Sequence, residues 1–263
     1  MAELTDKRLF LLDMDGTLYL DDDLFPGTIP FLRRIREKGG RYLFLTNNSS
    51  RGADSYVEKL RRLGIGSVPE DFLTSVDALV LFLRKGDYQG KPLYVAGTES
   101  FRRQLRQAGF SVTSDREEAE VLICGFDTEL TFQKLEDACI LLNRGVEFLA
   151  TNPDWVCPTW YGYVPDCGSV CEMLYRATGR RPRVIGKPQP EMVTLALERF
   201  SCAPQDACLI GDRVYTDIAC GKNAGIDTVF VLSGEGVAAD CEKYGVQPTW
   251  TLPNIQAVLE ELG

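Results

Sequence analysis

The chain has 263 residues, of which 44% are hydrophobic and 25% charged, and a formal net charge of −9. That length suits one large domain or two modest ones with a sizeable core, and the acidity argues against nucleic acid or an anionic membrane surface as a partner. Histidine is absent, which excludes Ser-His-Asp triads, Cys-His proteases, histidine-ligated zinc and phosphohistidine chemistry and leaves carboxylates, lysine, hydroxyls, thiols or a bound ion to do the work.

The elements follow in chain order. Leu9 to Leu12 form a short apolar run, too short for a signal peptide or a membrane span. Arg8 to Asp13 instead read as a buried parallel strand. Ile29, Leu32 and Ile35 recur at helical spacing, predicting a helix from about Pro26 to Lys38 that Gly39-Gly40 stops. Tyr42 to Thr46 read as a second buried strand, and 54–63 as a helix before Gly64. This βαβα opening predicts an open parallel sheet with helices on both sides. The middle repeats the theme more weakly, with strands at 93–96, 121–124 and 147–151 and helices at 99–108 and 132–143. A loop dense in Pro, Gly, Trp and Tyr is expected at 152–168, then a helix to Thr178. The last third returns to strong signals: helices at 191–200, 216–223 and 255–262, and strands at 207–212 and 228–232. The two α/β halves suggest one domain inserted into another.

Nine cysteines, an odd number, run from Cys124 to Cys241 without a Cys-x-x-Cys pair. Cys167 and Cys171 would sit one helical turn apart with no further ligand beside them. Free thiols in a reducing cytoplasm are the expectation.

Chemistry-bearing residues follow three of the buried strands: Asp13-Met-Asp-Gly-Thr17, Thr46-Asn-Asn-Ser49, and Gly211-Asp212 with Asp217 beyond. In an open parallel sheet, ligands bind beyond the carboxyl ends of the strands, so the three should converge. Asp13 and Asp15, two residues apart at a strand end, repel one another unless a cation sits between them. Hard oxygen ligands with room for water suit Mg²⁺, and Gly16 permits a sharp turn. On its own, an Asp-x-Asp-Gly is equally an acidic turn capping a helix. Thr46 to Ser49 are either a plain turn or a phosphate cradle of hydroxyl and backbone N–H groups at a helix start. Lys187, in Ile185-Gly-Lys-Pro-Gln-Pro190, is either a surface lysine or one aimed inward by an extended, stiff loop that the two prolines and the glycine fix. Asp212 closes an apolar strand, where a charge needs a partner. Asp217 can also serve as a helix cap.

Together these segments resemble the haloacid dehalogenase-like (HAD) phosphatases over nearly the whole chain. DMDGT at Asp13 to Thr17 is similar to the first family motif, TNNSS from Thr46 to the second, IGKPQP around Lys187 to the third, and GDRVYTD from Gly211 to Asp217 to the fourth. The long insertion between the second and third motifs resembles the α/β cap of the NagD-like and nitrophenyl-phosphatase branch (subfamily IIA type). GFDTELTF from Gly125, ATNPD from Ala150 and TGRRP from Thr178 carry that likeness. The resemblance implies a Rossmann-like α/β core, residues 1–80 and 182–263, with an inserted α/β cap at 81–181. It implies Asp13 as nucleophile and Asp15 as proton donor and then base. It further implies Mg²⁺ held by Asp13, the Asp15 backbone carbonyl and Asp212, with Asp217 supporting the metal's water shell. Thr46, Asn47, Asn48 and Lys187 would bind the phosphoryl oxygens.

The expected activity is Mg²⁺-dependent hydrolysis of a small-molecule phosphate monoester (nucleotide, sugar or aryl phosphate) through a phospho-aspartate at Asp13. A phosphate-ligand-sensing regulator and a phosphomutase are the alternatives; a receiver-like switch is disfavoured by the large insertion. Specificity is expected from the cap, with Trp155 to Asp166 the candidate segment. Its rings either stack on a substrate or pack within the cap or between two caps, and a homodimer through the cap is a further expectation.

Overall fold

The computed structural model describes residues 3–263. The described residues divide into two compact units, one comprising 3–46, 53–73 and 187–263 and the other 47–52 and 74–186. The inserted unit therefore takes in the helix Ser75–Lys85, which the expected boundary after residue 80 would cut. It also takes in Asn47 to Gly52, and the return to the first unit comes at Lys187 rather than at residue 182.

The first unit is built on a six-stranded sheet in the order Trp250–Leu252, Asp227–Val231, Ala207–Gly211, Leu9–Leu12, Arg41–Thr46, Phe72–Thr74. The two central strands, Leu9–Leu12 and Ala207–Gly211, are buried at every position, as continuous apolar runs must be when helices cover both faces of a sheet. Leu9–Leu12 pairs in parallel with Arg41–Thr46 on one side and with Ala207–Gly211 on the other. Consequently Asp13 and Asp212, the residues that follow these two central strands, leave the sheet at the same edge. Phe10, Leu12, Phe31, Phe44, Ile210 and Val229 belong to one buried cluster, and each such side chain contributes about 1.5–3 kcal/mol relative to exposure. The cluster extends beyond the strand end to Met14 and Leu18, which anchors the loop carrying Asp13 and Asp15.

The inserted unit has its own five-stranded parallel sheet, in the order Arg183–Val184, Glu147–Ala150, Val121–Cys124, Leu93–Ala96, Val112–Thr113. Helices Phe132–Asn143 and Cys167–Thr178 flank it, around a separate apolar cluster that includes Leu122, Leu141, Phe148 and Leu174. The expected loop at 152–168 contains an antiparallel hairpin, Val156–Thr159 with Gly162–Pro165. Trp160, Tyr161 and Tyr163 on it are 82%, 64% and 61% exposed, so these rings do not pack the core of their own unit. Among the described residues no helix is long and apolar enough to cross a membrane.

Candidate active site

Asp13 follows the first strand, and its N–H donates to the Ile210 carbonyl, so the strand pairing runs one residue further and fixes its position. The next turn is closed on the Met14 carbonyl, which accepts from the N–H groups of Thr17 and Leu18. Gly16 lies at φ +86°, and a Cβ there would come within 2.6 Å of Asp212 Oδ2. A side chain at this position would be strained and would also displace Asp212. Asp212 Oδ2 accepts from the Glu235 N–H at 2.7 Å, and a Cβ on Gly234 would overlap the same oxygen.

Lys187 is the centre of the arrangement. Its Nζ donates at 2.6 Å to Asp13 Oδ1 and at 2.6 Å to Asp217 Oδ1, and at 3.4 Å to the Leu45 carbonyl. The side chain is 2% exposed, so the surface-lysine alternative does not hold. The loop carrying it turns at Lys187-Pro188 rather than running extended. Asp217 lies in a π-helical turn, Val214–Ile218, ahead of the short α-helix Ala219–Asn223, where the sequence predicts a single helix over 216–223. Such turns occur frequently at functional sites. Here the wider turn lets Asp217 Oδ2 accept from the Arg213 N–H at 3.1 Å while Oδ1 meets Lys187.

One carboxylate oxygen from each of Asp13, Asp212 and Asp217 falls within a group spanning no more than 4.8 Å. Three carboxylates face one ammonium in a buried place, so their ionised forms repel one another. Burial, then the Asp217 charge, pushes the Asp212 carboxyl up to about 7. The same two causes, opposed by Lys187, raise Asp13 well above the usual carboxylate range. Burial works against the Lys187 charge, but Asp13 and Asp217 outweigh it and keep the ammonium protonated.

A divalent cation fits these residues. Asp212 Oδ1 is buried and has no hydrogen-bond partner among the described residues, and an orphaned carboxylate oxygen requires a cation or a water. The all-oxygen donor set suits a hard divalent cation such as Mg²⁺ or Ca²⁺.

This charge balance has a measurable consequence in chelator-treated protein. The folded carboxyl of Asp212 titrates near 7, above its unfolded value, so the folded state binds more protons and stability falls as pH rises towards 7. Asp212→Asn removes that liability. In chelator the variant should melt above wild type at pH 8, with the gap closing towards pH 5; thermal scans at the two pH values check it.

Asp15 stands apart from this cluster. Its Oδ1 lies 3.4 Å from Lys59 Nζ and its side chain is 37% exposed. Thr46 is buried at the end of its strand. Asn47 and Asn48 group with the inserted unit. The Asn47 carboxamide donates to Asp154 Oδ2 at 2.8 Å, and Asn152 donates to the same oxygen. Asn48 Oδ1 accepts from both the N–H and the hydroxyl of Ser50, which is the turn geometry weighed from sequence. Thus Asp13, Lys187, Asp212 and Asp217 come together. Sequence reasoning misses Thr17, whose hydroxyl lies 3.5 Å from Asp13 Oδ2, the Glu235 N–H, Asp154 and Lys59. Of these, only Thr17 and Asp154 lie inside the motifs quoted for the family likeness.

Comparison with known proteins accords with this geometry. Residues 10–111 match the haloacid dehalogenase-like hydrolase family, and residues 184–258 match a second HAD-hydrolase-like profile. The acid sugar phosphatase of Staphylococcus aureus is 31% identical over 255 residues, covering 97% of this chain and 98% of that one. The chain belongs to the haloacid dehalogenase-like hydrolases. Within them it falls in the NagD and nitrophenylphosphatase branch. The crystal structure of 4-nitrophenylphosphatase from Thermotoga maritima superposes with a TM-score of 0.90 at 38% identity, covering 99% of both chains. A glycerol phosphate phosphatase from Mycobacterium tuberculosis, in complex with magnesium, gives a TM-score of 0.90 at 29% identity, over 98% of this chain and 78% of that one. Membership in this branch makes the chain a phosphoric monoester hydrolase.

Proposed function

We propose that this HAD-family hydrolase removes phosphate from small organic phosphate monoesters through a phospho-aspartate at Asp13, with Mg²⁺ as cofactor. The observation that carries the reading is the buried Lys187 ammonium at 2.6 Å from Asp13, beside an Asp212 oxygen that lacks a partner among the described residues. An Asp13 oxygen attacks phosphorus, the bond from phosphorus to the ester oxygen breaks, and Asp15 donates a proton to that leaving oxygen. Asp15, now a carboxylate, takes a proton from a water whose oxygen attacks the acyl phosphate, releasing inorganic phosphate and regenerating Asp13. Lys187 neutralises charge on the phosphoryl oxygens. The Thr46 hydroxyl and the N–H groups of Asn47 and Asn48 are proposed as further phosphate donors. The Asn47 and Asn48 side chains are held by Asp154 and Ser50, which favours their backbone N–H groups in that role. Asp13, the Asp15 carbonyl and Asp212 would hold Mg²⁺, and Asp217, with both oxygens hydrogen-bonded by protein, would support its water shell. The cation supplies electrostatic stabilisation and alignment of phosphate with nucleophile.

Burial disfavours the ionised Asp13 that this chemistry needs, and a cation beside it reverses that preference. The relatives named for sugar, glycerol and nitrophenyl phosphates support those esters as the first substrates to try, with nucleotides beside them. All nine cysteines are free thiols, which supports a reducing compartment such as the cytoplasm. The test is phosphate release from 4-nitrophenyl phosphate, sugar phosphates, glycerol phosphate and nucleoside monophosphates. Release is expected with Mg²⁺ and not with chelator. Absence of release from every ester with Mg²⁺ present would favour a phosphate sensor, and net isomerisation of a sugar phosphate a phosphomutase.

A further inference from the structure

Lys59 lies on the helix Ala53–Arg62, whose buried face is formed by Tyr56 and Leu60. Its Nζ is 3.4 Å from Asp15 Oδ1 and 4.1 Å from the centre of the Tyr19 ring. Tyr19 is fully buried, so the ring is a fixed plate under the ammonium. The Lys59 side chain is only 18% exposed. An ordinary surface ion pair is floppy and contributes little. This one is tethered at three places: by the helix backbone, by the aromatic face and by the carboxylate. Asp15, by contrast, sits on a turn beyond the strand end and is partly exposed. The Lys187 ammonium is already taken by Asp13 and Asp217. Among the described residues of the first unit, Lys59 is a cation held against Asp15.

We propose that Lys59 is a positioning residue for Asp15: its ion pair at one carboxylate oxygen and its seat on the Tyr19 ring hold the acid where it can exchange a proton with the leaving oxygen. This rests on the acid–base reading of Asp15 given above. The role has a signature that general structural support lacks. A 4-nitrophenolate leaves without much help from a proton, whereas an alkoxide does not, so misplacing the acid penalises alkyl esters selectively.

The experiment measures kcat/KM for glycerol phosphate and for 4-nitrophenyl phosphate with wild type, Lys59→Met, Lys59→Arg and Asp15→Asn. Lys59→Met should lose about tenfold on glycerol phosphate, a fraction of what removing an acid costs, and much less on 4-nitrophenyl phosphate. Lys59→Arg, which keeps the charge and the ring contact, should recover most of the loss. Asp15→Asn should show the same selectivity, larger. Equal losses on both esters, or none, in Lys59→Met while Asp15→Asn remains selective would overturn the role of Lys59 alone. An Asp15→Asn variant without selectivity would overturn the acid–base reading of Asp15, and the role of Lys59 with it.

Discussion

Asp13→Asn should abolish turnover on every phosphate ester, with a loss on the order of 10⁵-fold, the scale on which a covalent nucleophile is missed. The variant should fold. It removes one of three crowded carboxylates, and Lys187 keeps its partner Asp217 at 2.6 Å. The charge balance improves, so the metal-free variant should melt no lower than wild type. An inactive, well-folded protein is therefore the expected outcome, read by phosphate release together with thermal melting. Substantial residual turnover would assign the nucleophile elsewhere.

Lys187→Met should damage both stability and activity. The ammonium is buried between Asp13 and Asp217, and removing one member of a buried ion cluster typically costs about 3–5 kcal/mol because the remaining charges stay unpaired. The loss should appear as a lower urea midpoint in chelator. It should shrink as pH falls, since the stranded Asp13 carboxylate, raised by burial, then takes up a proton. Mg²⁺ should restore part of the stability by replacing the missing positive charge. Activity should still fall, by about 10²–10³-fold, because a preorganised donor to the phosphoryl oxygens is gone.

The parts of the molecule legible in the sequence are those where local pattern and tertiary environment agree. The apolar run Val121–Cys124 and amphipathic stretches such as Phe132–Asn143 and Ile255–Leu262 lie where the spacing of their apolar residues puts them. The strand Phe72–Thr74 is not legible because three residues carry no period. The helix Ser75–Lys85 merges with it into one nearly continuous apolar run. The hairpin 156–165 is hidden by Pro158, Gly162 and Pro165, residues that ordinarily mark loops; a two-stranded ribbon tolerates them because it is all edge.

The candidate site shows the same division. Asp13, Asp212 and Lys187 can be singled out because each sits beside a buried strand or a proline-stiffened loop. That Asp13 and Asp212 converge follows from a parallel sheet, but that their two strands, about 200 residues apart in sequence, are direct neighbours is encoded by no local pattern. Lys59 is invisible for a related reason. It is one of several basic residues on an amphipathic helix, and only the packing of that helix brings it to Asp15. The Asn47 carboxamide donates to Asp154, 107 residues away, a pairing that no local pattern announces.

The most direct test of the central claim is to look for the phosphoryl group on Asp13. Wild type would be mixed with a substrate ester and Mg²⁺, quenched in acid within the first turnovers, digested and analysed by mass spectrometry. The predicted result is a peptide carrying one phosphoryl group on Asp13, accumulating further in Asp15→Asn, where hydrolysis of the intermediate is slowed, and absent from Asp13→Asn. Turnover in wild type with no phosphorylated Asp13 at any quench time, or an adduct on another residue, would contradict the phospho-aspartate mechanism.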